Sequence, residues 1–140
     1  MTANIVYEGN LRCTCTHIES GTEILTDAPR DNQGNGAAFS PTDLVATALG
    51  SCIVTTMGIK CKLMGISIDG TKLEVKKIMA ADPRRISQID VTLHMPDRHY
   101  SDKDKKILEH TALTCPVAVS LHPDLVKGIT FIWQDITSVR

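Results

Sequence analysis

This 140-residue chain lacks a charge imbalance: 15 Lys and Arg stand against 16 Asp and Glu, for a formal net charge of −1. No electrostatic pull toward nucleic acid or an anionic membrane follows from such a balance. Aromatic side chains are also scarce, with two Phe, two Tyr and one Trp, and no basic run interleaves with them as a base-stacking surface would require. None of the five cysteines forms a Cys-x-x-Cys pair, so the usual short-spaced ligand pairs of a structural zinc site are missing. The uncharged stretch 44–59 is shorter than the ~20 residues of a normal membrane span, and it carries Gly50, Ser51 and three threonines. The opening Met-Thr-Ala-Asn-Ile-Val-Tyr-Glu lacks the basic and apolar regions of a signal peptide. These absences point to a cytoplasmic protein with no membrane or nucleic-acid partner, whose cysteines are thiols rather than a disulfide framework.

What is present describes one globular domain over residues 1–140. Apolar content is 42% and charged content 22%, the balance of a soluble fold with a core of its own. Residues 5–7, 11–18 and 23–26 read as strands of an opening hairpin or meander. In the second run Leu11, Cys13, Cys15 and His17 share one face and Arg12, Thr14 and Thr16 the other. Residues 27–38, with Pro29, Gly34 and Gly36, read as an exposed loop. Residues 73–79 form a charged strand. Ile89, Val91, Leu93 and Met95 alternate with Asp90, Thr92 and His94 in the clearest strand of the chain, which Pro96 ends. Ser101-Asp102-Lys103-Asp104 opens a helix to about Thr114, a short helix follows over 116–121, and residues 129–133 make a final strand. The sum is an α+β fold with a mostly antiparallel sheet.

Between the opening strands and the rest lies the organising element. Ser40 is a good N-cap, Pro41 suits the first helical position, Asp43 stands where a capping box wants an acid, and Gly65 is a C-terminal stop. No charge appears between Asp43 and Lys60. A helix with no polar stripe is one buried on all sides, and a sheet covers only one of them, so a partner subunit is expected to cover the rest.

Two cysteines stand out by position. Cys115 precedes Pro116, which biases it out of helical geometry and makes it the cap of a new helix. There a thiolate is stabilised by unpaired N–H groups; the plainer reading is a convenient cap. Cys52 sits in the middle of the apolar helix, where a thiol is commonly a small core residue. A buried thiolate there needs a cation from elsewhere. Arg12 is the candidate, unless it is an ordinary exposed strand arginine. Cys13, Cys15 and His17 could offer two or three zinc ligands from one strand face, although a fourth is missing. Cys61 reads as a packing or surface thiol. His110 and His122 flank the Cys115 region, with surface or capping roles as the default.

Several of these stretches together resemble the OsmC/Ohr family. They are Asp27-Ala28-Pro29-Arg30, Gly34-Asn35-Gly36, Ser40-Pro41-Thr42-Asp43-Leu44 leading to Cys52, and Cys115-Pro116-Val117. The run from Leu44 to Cys52 is most similar to the OsmC-like branch. The resemblance implies an intertwined homodimer in which sheets wrap two long central helices, with active sites at the interface. It also implies thiol-dependent reduction of organic hydroperoxides in an oxidative stress response, with no cofactor. Cys52 is then the peroxidatic cysteine and Cys115 the resolving one, with an external dithiol or dithiol protein as reductant. In the family an arginine stabilises the thiolate and a glutamate after the helix-starting proline holds that arginine. Here that position is Thr42, with Asp43 next to it, and Arg12 is taken as the arginine by its place on the opening hairpin. Asp43 lies nine residues before Cys52, roughly 14 Å along the same helix, so it would act through Arg12 or from a dimer mate. The alternative is a non-enzymatic small-molecule-binding or redox-sensing protein on the same dimeric fold. Sedimentation equilibrium at micromolar concentration should return twice the chain mass; a monomer would contradict the expected partner.

Overall fold

A computed structural model describes residues 1–134. The chain divides into two compact units, Met1–Val45 and the residues from Ala46 onward. In the first, β1 (Ala3–Gly9), β2 (Arg12–His17) and β3 (Glu23–Asp27) form an antiparallel meander in that order. All three expected strands are there. Leu11 is lost from the second because its φ of +63° places it in the turn with Gly9 and Asn10. The expected loop after β3 contains a short 3-10 turn, Arg30–Asn32, and folds back on itself. The Gly34 N–H donates to Pro29 O and the Gly36 N–H to Ala28 O. A Cβ at position 34 would stand 1.7 Å from Ala28 O, so only glycine allows this closure.

The long helix α1 (Pro41–Met64) has the two ends its sequence specifies. The Asp43 N–H donates to Ser40 Oγ and the Ser40 N–H to Asp43 Oδ2, each at 3.0 Å. This is a reciprocal capping box with aspartate in the acid position. At the other end Gly65 has φ +71°, and the Ile66 N–H reaches back to Cys61 O at 3.1 Å, a Schellman closure. By length and apolar composition α1 would pass as a membrane span. Its burial identifies a core helix instead: Ala46, Leu49, Gly50, Ile53, Met57 and Cys61 follow helical spacing along one covered face.

Burial of α1 runs along one face of the helix. Val45, Ile59 and Leu63 are exposed, the last at 81%. Among the described residues, the uncharged positions of the opposite face include these exposed ones.

The second unit carries a three-stranded sheet in the order β4 (Lys72–Ala80), β5 (Arg85–Asp97), β6 (Val126–Gln134). β4 and β5 are antiparallel, whereas β5 and β6 are parallel. The chain returns between β5 and β6 through α2 (Asp102–Leu113) and α3 (Pro116–Ser120), as parallel neighbours require. Among the described residues, therefore, three of the four strand pairings are antiparallel. Ile89, Val91, Leu93 and Met95 are all buried, as their alternation predicts. Pro96 does not end β5, which continues to Asp97. The β5/β6 register shifts between His94 and Asp97, and such an irregularity accommodates a proline that cannot donate to the ladder.

Gly50 is where α1 comes closest to β4: a Cβ there would lie 2.9 Å from Val75 Cγ2. Helix propensity alone favours Gly50→Ala by about 1 kcal/mol. Overpacking against a β-branched side chain on a paired strand costs about 1–3 kcal/mol. Gly50→Ala should therefore destabilise the fold by about 1 kcal/mol in urea unfolding; a gain in stability would contradict this packing.

Candidate active site: two thiols and a short helix

The site begins where α2 gives way to α3. Thr114 closes α2, its N–H donating to Thr111 O. Cys115 is extended, with φ −65° and ψ 151°, as a residue before proline prefers, and caps α3. Pro116 occupies the first helical position and has no N–H to offer. The next two N–H groups of α3 each point at a sulfur. The Val117 N–H donates to Cys52 Sγ at 3.5 Å, and the Ala118 N–H donates to Cys115 Sγ at 3.4 Å. Cysteines 63 residues apart in the sequence (115 − 52) are thus brought to one place, close enough for the Cys115 thiol to hydrogen-bond to Cys52. The Thr56 hydroxyl, one turn after Cys52 on α1, lies 3.8 Å from its sulfur.

The two thiols are unequal. Cys115 is fully buried, and Cys52 is partly exposed. Burial pushes the Cys52 thiol up, but hydrogen bonds from the Val117 N–H, the Cys115 thiol and the Thr56 hydroxyl together outweigh it, leaving its pKa below the ordinary thiol value. Burial also pushes Cys115 up. The Ala118 N–H opposes this, but Cys52 beside it adds to the rise, because a thiolate there disfavours a second one. When one proton leaves this pair, it leaves Cys52, and Cys115 remains the donor. Both sulfurs are free thiols. Such a pair can present a nucleophilic thiolate and hold a second thiol ready to trap its oxidised form.

Two further sequence candidates, Arg12 and Asp43, lie in the first unit. Arg12 Nε is 3.6 Å from Oδ1 of Asp27, which is 2% exposed. Its acid is therefore Asp27, its Cα partner in the β2/β3 register. Asp43 is engaged in the capping box of α1. Within the second unit, Cys61 is buried and its thiol is pushed up by burial and by Asp104 and Asp69, which makes it inert packing. His122 is exposed, and its Nδ1 accepts the Asp124 N–H. His17 Nδ1 shares a hydrogen bond with Ser20 Oγ. Among the described residues, no three His, Cys, Asp or Glu side chains gather as a metal site.

Sequence reasoning missed two groups at the thiol pair, Thr56 and the Val117 N–H, and, apart from them in the first unit, the Asp27 partner of Arg12. The first was legible, since a residue four on from Cys52 faces the same way on a helix. The other two depend on pairings between segments distant in the sequence.

The comparisons with known proteins bear on the family and the fold. The family profile for OsmC-like protein matches residues 34–127, a span that includes both thiols. Among solved structures, the chain is 50% identical to a provisionally assigned osmotic stress induced and detoxification response protein from Psychrobacter arcticus 273-4, covering 94% of this chain and 96% of that one at a TM-score of 0.90. An organic hydroperoxide resistance protein OsmC from Legionella pneumophila shares the fold at 15% identity, with a TM-score of 0.74 over 94% and 95% of the two chains. The organic hydroperoxide resistance protein OhrB of Bacillus subtilis does so at 16% identity, with a TM-score of 0.68 over 94% and 98%. No match is found among curated proteins. With the profile spanning most of the chain and a relative at half identity over nearly all of it, this chain belongs to the OsmC-like family.

Proposed function

We propose that the protein is a thiol-dependent peroxidase that reduces organic hydroperoxides. The observation that carries this reading is the inequality of two adjacent thiols: Cys52 depressed and partly open, Cys115 raised and fully buried. The names of the structural relatives from Legionella pneumophila and Bacillus subtilis supply the substrate class.

The Cys52 thiolate attacks the terminal oxygen of R–O–O–H. The O–O bond breaks, the leaving alkoxide takes a proton and departs as the alcohol, and Cys52 becomes a sulfenic acid. The Val117 N–H and the Thr56 hydroxyl steady the attacking sulfur. Cys115 then attacks the Cys52 sulfur, an S–S bond forms, and the sulfenic oxygen leaves as water with the thiol proton. A small dithiol or a dithiol protein reduces this disulfide by two exchanges, ending as a disulfide itself. The net reaction converts hydroperoxide and dithiol to alcohol, water and disulfide. Arg12 is the proposed auxiliary cation, with Asp43 acting through it or from the dimer mate. The exposed apolar side of α1 supports a homodimer as the working form, and we place it in the cytoplasm.

The test is stoichiometric. One equivalent of cumene hydroperoxide should remove two of the five thiols within minutes, and Cys52→Ser should remove none. Cys115→Ser should lose one thiol and retain a sulfenic acid that dimedone traps. Thiols unchanged over that time would favour the binding or sensing alternative; losses in Cys52→Ser would move the nucleophile elsewhere.

A further inference from the structure

A second feature lies at one end of the second unit's sheet and plays no part in the thiol chemistry. β6 begins with Val126 opposite Gln88, so residues 85–87 of β5 extend beyond it without a β6 partner. A cavity of about 550 Å³ opens there, between β5 and the turn 122–125. Three successive residues, Arg85, Ile86 and Ser87, line it, although regular alternation would send the middle one to the opposite face. The β4/β5 register explains this. Ile78 pairs with Gln88 and Met79 with Ile86, which leaves Ser87 as an extra, bulged residue, its hydroxyl donating to Ile78 O at 3.1 Å. Two donor groups at the cavity are held in place. Arg85 Nη1 donates to Ala81 O at 3.0 Å and to Pro83 O at 2.8 Å. Both Nη1 protons are thereby used, and the Nε–Nη2 edge of the guanidinium is left over. On the turn, His122 Nδ1 accepts the Asp124 N–H at 3.0 Å, and His122 O accepts the Leu125 N–H at 3.0 Å. An Nδ1 that accepts puts the ring proton on Nε2, a second donor. Leu125 is buried and Ile86 half-buried, and they give the cavity its apolar wall. Asp124, the acid among the lining residues, has a side chain 92% exposed.

We infer that this cavity binds a small carboxylate with an apolar body. The two oxygens of a carboxylate match two parallel N–H donors on one guanidinium edge, and the His122 Nε2–H offers a third. Because the Ala81 and Pro83 carbonyls already hold the Arg85 guanidinium, little side-chain freedom remains to be lost when a ligand arrives. An ammonium would meet the Arg85 charge. A phosphate monoester brings a second negative charge, which one guanidinium does not match and which Asp124 opposes. A neutral hydroxyl cannot take both protons of the edge in parallel and forfeits the charge assistance. The apolar wall asks for a hydrocarbon body, and the volume admits a single ring on a short chain.

The probes are phenylacetate, its neutral analogue 2-phenylethanol, phenethylamine and phenyl phosphate, titrated into the full-length protein. Binding is read from the amide resonances of Ser87, Asp124 and Leu125. Phenylacetate should bind with a Kd on the order of 1 mM. The alcohol should bind at least about tenfold more weakly, because it loses the paired, charge-assisted hydrogen bonds. Arg85→Lys keeps the charge but not the two-donor edge, and should weaken phenylacetate by about tenfold; circular dichroism checks that it is folded. If that variant does not fold, the ratio of acid to alcohol in the unaltered protein decides alone. Equal affinities for acid and alcohol, tighter binding of the amine or the phosphate, full affinity in a folded Arg85→Lys, or no shifts at all would overturn the assignment.

Discussion

A thiolate on an apolar helix has no reason to exist unless something offsets its loss of water, and in this protein a backbone N–H does much of that. Within two turns on α1, Cys52 has no lysine or arginine on its own side. What faces its sulfur is the Val117 N–H. Pro116 determines which N–H that is: with no donor of its own and a fixed φ, it makes Val117 the first free donor of α3 and Ala118 the second. One goes to each sulfur. The Cys115-Pro116 dipeptide therefore turns the chain, caps the helix, and divides two donors between two thiols of opposite pKa displacement.

The elements that carry the two thiols hold that contact still. Cys52 is fixed because α1 is clamped at its ends by the Ser40–Asp43 box and the Gly65 closure, and along its buried face by the core. Gly50, two residues before Cys52, allows the helix to lie against Val75. Cys115 is fixed because the crossover from β5 to the parallel β6 must travel through α2 and α3. Each of these is a constraint on backbone position. The chemistry then needs only small shifts in two thiol pKa values, which hydrogen bonds at 3.4–3.5 Å can supply.

Much of this was legible in the sequence because it is written locally. Ser40, Pro41, Asp43 and Gly65 are adjacent signals of helix ends, and the alternation from Ile89 to Met95 is a period-two pattern that needs no partner to read. Cys115 before Pro116 is equally local. What could not be read depends on pairing. The parallel placement of β6 leaves no periodic trace, and the survival of β5 past Pro96 requires knowing that its register shifts there. Arg12 was taken as the cation for Cys52 with Asp43 as its acid, and nothing in its neighbourhood names Asp27, which becomes its partner only when β2 and β3 pair. The uncharged far side of α1 was legible as a surface needing cover, because the run without charge from Leu44 to Ile59 needs no partner to read.

The central claim is that Cys52, not Cys115, carries the thiolate. Alkylation by iodoacetamide, followed residue by residue by mass spectrometry from pH 5 to 10, measures it directly. The predicted result is a rate for Cys52 that titrates below the ordinary thiol value, with Cys115 titrating above it. A Cys52 that titrates at or above that value, or a Cys115 that reacts first, would contradict the account.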